Sequence, residues 1–304
     1  MRKPLTRSLA PAIAALLLAL AGGCERNQPS RAQAVDGGGI DEGRAPAPDP
    51  APPGPVELED VSEAQPDYVI GISYPRSDGL PPALAAAMKD YAESARADLM
   101  EAVESRRAAS EGGDGPMTMY DLSLTYSEVL VSPDVVAYAA DGSTYTGGAH
   151  GVPLVARFVW LPRQGRMLTA ERLVPVPQDW ERIAGYVRER LHEALPRRMD
   201  TSGLESEERQ QLLRTGARMI EEGTRPEPAN FDQFEPVAGE GGQLAGLRFV
   251  FPPYQVAPYS EGVQRVEVPA PVLLPVVAPE LRTLFEGGPD GDAPAAPDVV
   301  AGTG

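Results

Sequence analysis

The stretch Thr144-Tyr145-Thr146-Gly147-Gly148-Ala149-His150-Gly151 lies between two apolar runs, residues 135–140 and 155–160. No other part of the sequence limits the fold as tightly. Strands joined by so few residues pair antiparallel, because a parallel pair needs a crossover of a dozen residues or more. Paired glycines accept positive φ without steric cost and let another backbone or a ligand come close. The reading is a β-hairpin whose corner is shaped by Gly147 and Gly148 and presents Tyr145 and His150.

The ends of the chain are compositionally unlike this middle. Arg2, Lys3 and Arg7 precede an apolar run at residues 9–21, too short for a permanent span and followed by small residues, as in an export signal. Its exit, Ala21-Gly22-Gly23-Cys24, holds the only cysteine of the chain and resembles a lipobox, although leucine is more usual where Ala21 stands. Residues 1–23 are therefore expected to be a lipoprotein signal peptide. Cys24 is expected to carry a palmitate-type acyl chain that anchors the protein to a membrane. Glu25 lacks the retention aspartate of inner-membrane lipoproteins, which favours the outer membrane, facing the periplasm. Residues 24–64 are rich in Pro, Ala, Gly and acidic residues, with too little apolar surface to offset the entropy of ordering, and read as a flexible tether. Residues 286–304 read as a loose tail for the same reason.

With no second cysteine there is no internal disulfide. Stability must come from burial, which the roughly 220 residues from 65 to 285 can supply. The formal net charge of −17 argues against nucleic acid as a partner, since phosphates call for clustered Lys and Arg. The acidity either serves encounter with a cationic partner or keeps a tethered protein soluble.

Between tether and tail the periodicities define an α+β fold, antiparallel sheet packed by amphipathic helices, in two small paired subdomains at residues 65–174 and 175–285. Residues 68–74 read as a strand. Leu84, Met88, Tyr91, Ala95, Leu99 and Ala102 form one apolar face of a long helix over 81–109. Alternation over 119–131 predicts a half-buried antiparallel strand. Helices are predicted over 179–199, capped by Asp179, and over 206–222. Strands are predicted at 231–237, 244–251 and 264–268, and a short apolar helix or turn over 272–285. Prolines between the last two strands make Phe251-Pro252-Pro253-Tyr254-Gln255-Val256-Ala257-Pro258-Tyr259 an ordered loop bearing two tyrosines.

The glycine corner and this proline loop, in this order, resemble the paired domains of unknown function in the extracellular half of the lysozyme-sensing anti-sigma factor RsiV and the N-terminal region of the peptidoglycan deacetylase PdaC. The resemblance implies an α+β fold outside the cytoplasmic membrane and, from RsiV, a surface that binds lysozyme. No sigma-binding segment accompanies it in this sequence and no deacetylase domain follows it, so neither relative's best-known output carries over. A lysozyme-like protein and peptidoglycan are the expected ligands.

For chemistry, His150 is either a general base or metal ligand, or a structural residue that bonds backbone beside its turn. His192, the other histidine, falls within a helix among charged residues. Two histidines and one cysteine offer no zinc spacing, no G-x-S-x-G or phosphate-binding glycine loop is present, and no metal or cofactor is expected. Tyr145, Tyr254 and Tyr259 are candidates for contact, since tyrosine offers rigid amphipathic area, or else they pack in the core. A binding module is the first reading, and an envelope enzyme acting on peptidoglycan through His150 the second.

Overall fold

A computed structural model describes residues 56–76, 79–109, 118–198, 203 and 205–289. The signal peptide, Cys24, most of the tether and residues 290–304 of the tail lie outside the described residues.

The first half forms a six-stranded sheet in sequence order: β1 (Val61–Ala64), β2 (Tyr68–Ser73), β3 (Tyr120–Val131), β4 (Val136–Tyr145), β5 (Val152–Leu161) and β6 (Arg166–Met167). The last four residues assigned to the tether are instead β1, paired antiparallel with β2 from Val61↔Ile72 to Ala64↔Val69. Val61 packs on the apolar core here, which a Pro- and Ala-rich composition does not announce. The expected antiparallel strand at 119–131 also needs correcting. β3 is antiparallel to β4 but parallel to β2. The intervening helix α1 (Pro82–Ala109) is the long crossover that lets the chain re-enter the sheet in the same direction.

α1 buries Leu84, Met88, Ala92, Ala95, Leu99 and Val103, a stripe at spacings of three and four that faces Ile70, Leu122, Leu124, Tyr126 and Phe158. Ala92 and Val103 occupy the places expected for Tyr91 and Ala102. Tyr91 sits at the margin, edge-on to Phe158 at 6.1 Å. The Tyr126 hydroxyl is buried and donates to the Met88 carbonyl at 2.7 Å.

The opposite face of β4 and β5 is covered too. Val135, Ala137, Val159 and Leu161 belong to a second core shared with the C-terminal half. Residues 137–140 and 156–161 are consequently buried almost without alternation, as expected of strands covered on both sides.

That half comprises α2 (Ala170–Leu173), α3 (Trp180–Arg198), α4 (Ser206–Gly223), β7 (Phe234–Ala238), β8 (Leu244–Phe251), β9 (Gln264–Pro269) and α5 (Ala270–Leu273), with β7-β8-β9 forming a separate antiparallel sheet. α3 buries Trp180, Ile183, Ala184, Val187, Leu191 and Leu195. Asp179, expected as its cap, instead ends a 3-10 turn, Pro177–Asp179. Phe231 lies in the turn Pro228–Phe231 ahead of β7 and stacks on Trp180 at 5.2 Å. Glu286, placed in the tail by composition, donates its N–H to the Leu244 carbonyl at 3.0 Å.

A buried ion pair crosses between the sheets inside this apolar packing. The Arg157 side chain of β5 is 1% exposed, with Nε 2.6 Å from Glu235 Oε1 on β7 and Nη2 3.0 Å from Asp141 Oδ1 on β4. Its Nη1 donates to the carbonyls of Ala140 and Ala156. Glu235 Oε2 accepts from Arg248 of β8 at 3.2 Å, and Arg248 also holds Glu267 of β9. No helix among the described residues is long and apolar enough to cross a membrane.

Candidate functional site

β4 and β5 pair from Val136↔Trp160 to Thr144↔Val152, so the glycine corner is their connection. Gly147 and Gly148 take φ of +100° and +99°, a region in which a Cβ would be strained. Tyr145 is half-buried, and its hydroxyl donates to the Gly148 carbonyl at 3.0 Å, closing the corner on itself. His150 is exposed.

The second half of the site comes from the β8–β9 connection. The Gln255 N–H donates to the Pro252 carbonyl at 3.1 Å, and Tyr254, third residue of that four-residue turn, has φ +74°. Proline at the second position fixes φ near −65°, so this is the type II turn, whose third position requires positive φ and is ordinarily glycine. Tyr254 is the only non-glycine with positive φ among the described residues. The residues after it hold it there. Val256 and Ala257 are buried, and the Gln255 amide donates to the carbonyls of Gly223 and Asn230 at 3.0 and 2.9 Å. With three successive residues tied inward, the Tyr254 side chain is turned out and is 55% exposed.

The two loops meet at His150. The imidazole stacks on Tyr259, ring centroids 4.0 Å apart and 13° from coplanar. Its Nδ1 lies 3.2 Å from the Gly151 carbonyl and its Nε2 2.8 Å from the Tyr254 hydroxyl. A carbonyl can only accept, so Nδ1 carries a proton, and in the neutral ring Nε2 then accepts from Tyr254. Tyr254 and Tyr259 complete the group at 5.8 Å. His150, Tyr254 and Tyr259 are thus brought together, while Tyr145, Gly147 and Gly148 shape the corner behind them.

Among the described residues the polar partners of His150 are a hydroxyl and a backbone carbonyl, and no carboxylate joins them. A base of this kind has no orienting acid. His192 is on α3, its Nε2 2.9 Å from Glu221 of α4. Among the described residues no group of three or more His, Cys, Asp or Glu could hold a metal ion. Sequence reading missed Arg157 and Gln255. An arginine inside the apolar run 155–160 was the available signal for the first; nothing local marks the second.

Two family models match the chain. Residues 62–153 match the one described as Deacetylase PdaC, and residues 181–270 the one described as Protein of unknown function (DUF3298). The chain carries these two domains in tandem. Among solved structures, a DUF3298 family member from Bacteroides fragilis aligns at 16% identity over 72% of this chain and 92% of its own, with a TM-score of 0.44. A DUF3298 family protein from Pseudomonas aeruginosa aligns at 17% identity over 76% and 97%, with a TM-score of 0.41. No match is found among curated proteins. On this division His150 belongs to the PdaC domain, and Tyr254 and Tyr259 belong to the DUF3298 domain. The aromatic group is composite, and neither domain holds it alone.

Proposed function

We propose that the protein is a lipid-anchored envelope module that binds, without turning over, a cationic lysozyme-like protein through the face formed by His150, Tyr254 and Tyr259. The observation that carries the reading is the presentation of Tyr254, held outward at φ +74° and bonded to an exposed imidazole. Exposed, immobilised tyrosines give contact area at little cost in conformational freedom. The chain's −17 charge assists encounter with a basic protein. An envelope enzyme acting on peptidoglycan through His150 is the weaker reading, because no acid among the described residues orients that imidazole.

The full chain is to be titrated against lysozymes and, separately, against peptidoglycan, at low and physiological salt. Lysozyme binding that weakens with salt and falls by about 30-fold in Tyr254→Ala, the effect of losing a contact of about 2 kcal/mol, supports the reading. Binding to neither ligand removes it, and binding to peptidoglycan alone transfers the face to a glycan. For the anchor, a fatty-acid analogue should label the wild type and not Cys24→Ser; equal labelling of both ends the lipoprotein reading.

A further inference from the structure

The two halves of the aromatic group reside on different sheets, so something must fix the β4–β5 hairpin against the β8–β9 connection. Apolar packing between the sheets holds them together but is non-directional, and tolerates small sliding. Arg157 is different. Its five donors are fixed in a plane, and they reach two carbonyls, one carboxylate on β4 and one carboxylate on β7. Glu235 uses its second oxygen on Arg248, and β8, which carries Arg248, runs out at Phe251, three residues before Tyr254. An unbroken set of charge-assisted bonds therefore joins the strand that leaves the glycine corner to the strand that enters the tyrosine turn.

We propose that the buried Arg157–Glu235 pair is the positioning element of the site, setting the register between the two domains so that His150 lands on Tyr254 and Tyr259. This deepens the binding reading above and rests on it for its significance, though its geometry can be tested without any ligand. Buried ion pairs add little net stability compared with apolar groups of the same volume, and their best-attested use is to specify one arrangement among several of similar energy. Arg157 and Glu235 touch no part of the aromatic group and act on it through the strands.

The chain has two histidines, which makes the test direct. In proton NMR of the full chain, the ring current of Tyr259 shifts the His150 ring protons upfield, while His192 on α3 serves as an internal reference. Tyr259→Leu gives the unstacked position. The double variant Arg157→Met/Glu235→Leu is expected to melt close to the wild type while its His150 signals move downfield toward that unstacked position, with His192 unmoved. A folded double variant whose His150 signals stay at the wild-type position overturns the proposal. Should the double variant fail to fold, Glu235→Gln, which keeps shape and removes charge, is read the same way: a downfield move of His150 alone supports the proposal, and wild-type signals overturn it. Lysozyme binding is measured separately on the wild type, so loss of the binding reading leaves this result intact, and the reverse holds as well.

Discussion

The two loops that meet at His150 solve the same backbone problem in opposite ways. The corner at Gly147 and Gly148 adopts φ near +100° with residues that have no Cβ to strain, whereas the turn at Pro252–Gln255 puts a tyrosine where glycine is ordinarily found. The first arrangement costs little sterically, and its glycines display no side chain of their own but set the course of the chain to His150. The second costs energy and displays a phenol. A tyrosine in a strained position persists only when its surroundings over-determine it, and here they do, through Gln255, Val256 and Ala257. The difference separates a loop that positions one imidazole through its backbone from a loop that holds its aromatic side chain out at the expense of its backbone.

Both loops depend on the frame between the sheets, and removing one partner from it gives the largest expected effect. Arg157→Ala leaves Glu235, 7% exposed, with Arg248 alone, and is expected to cost about 3 kcal/mol, read as a lower midpoint in denaturant unfolding. A loss below about 1 kcal/mol, the range of exposed pairs, would mean that apolar packing alone holds the two loops in place.

A smaller change should disturb one loop and spare the other. A Cβ on Gly223 would stand 2.1 Å from the Gln255 carbonyl oxygen, which must move to admit it. Gly223→Ala is expected to cost about 1–3 kcal/mol as overpacking. In hydrogen exchange, protection should fall at Gln255, whose N–H closes the turn, and stay unchanged across β4 and β5. Loss of protection in both places would show that the loops are one cooperative unit.

How much of this could be read from the sequence follows the same division. Helix α3 and strand β8 were legible because burial on one side leaves a period, and the glycine corner because two adjacent glycines between apolar runs leave few alternatives. The parallel pairing of β2 and β3 was not, since the residue pattern of a half-buried strand is the same whichever way its neighbour runs. Val61–Ala64 was lost to a composition argument, although Val61 is packed on the core. At the site, both loops were visible but their meeting was not. His150 and Tyr254 are 104 residues apart, and their contact is set by Arg157 and Glu235, a pairing no local pattern encodes. The positive φ of Tyr254 was equally hidden, because Pro-Pro-Tyr-Gln specifies a turn but not the burial that forces its third residue over.

The direct comparison of the two loops exchanges their solutions, with effects near 1 kcal/mol. Gly148→Ala meets no neighbouring atom, so its cost of about 1–2 kcal/mol is backbone strain alone. Tyr254→Gly releases strain of similar size but adds about 0.5–1 kcal/mol of chain entropy in the unfolded state. It should therefore unfold within about 1 kcal/mol of the wild type, on the stable side, and still lose lysozyme binding. A clear destabilisation by Tyr254→Gly would show that the phenol's bond to His150, rather than burial of its neighbours, fixes the turn.

The smallest effect at neutral pH tests whether charge works alike in the two halves. Away from the sheet junction, Asp67 receives Arg107 at 2.7 and 2.9 Å, tying the end of α1 to the start of β2. These hydrogen bonds, aided by the positive charge of Arg107 and Arg106, hold its carboxyl below the ordinary carboxylate value of 3.8. A group whose pKa is lowered on folding binds its proton more readily in the unfolded chain, so its contribution is present above the unfolded value and disappears as pH falls through the folded one. Asp67 itself is buried, but the Arg107 guanidinium left behind by its removal is half-exposed and regains water, so the loss is small. Asp67→Asn should therefore lower the melting temperature only slightly at neutral pH, and the two curves should converge below pH 3.8. The junction pair is built for register and the Asp67 clamp only fastens a helix end, so Asp67→Asn should leave the His150 ring signals where they are; a shift of those signals would extend the positioning role to the whole first sheet.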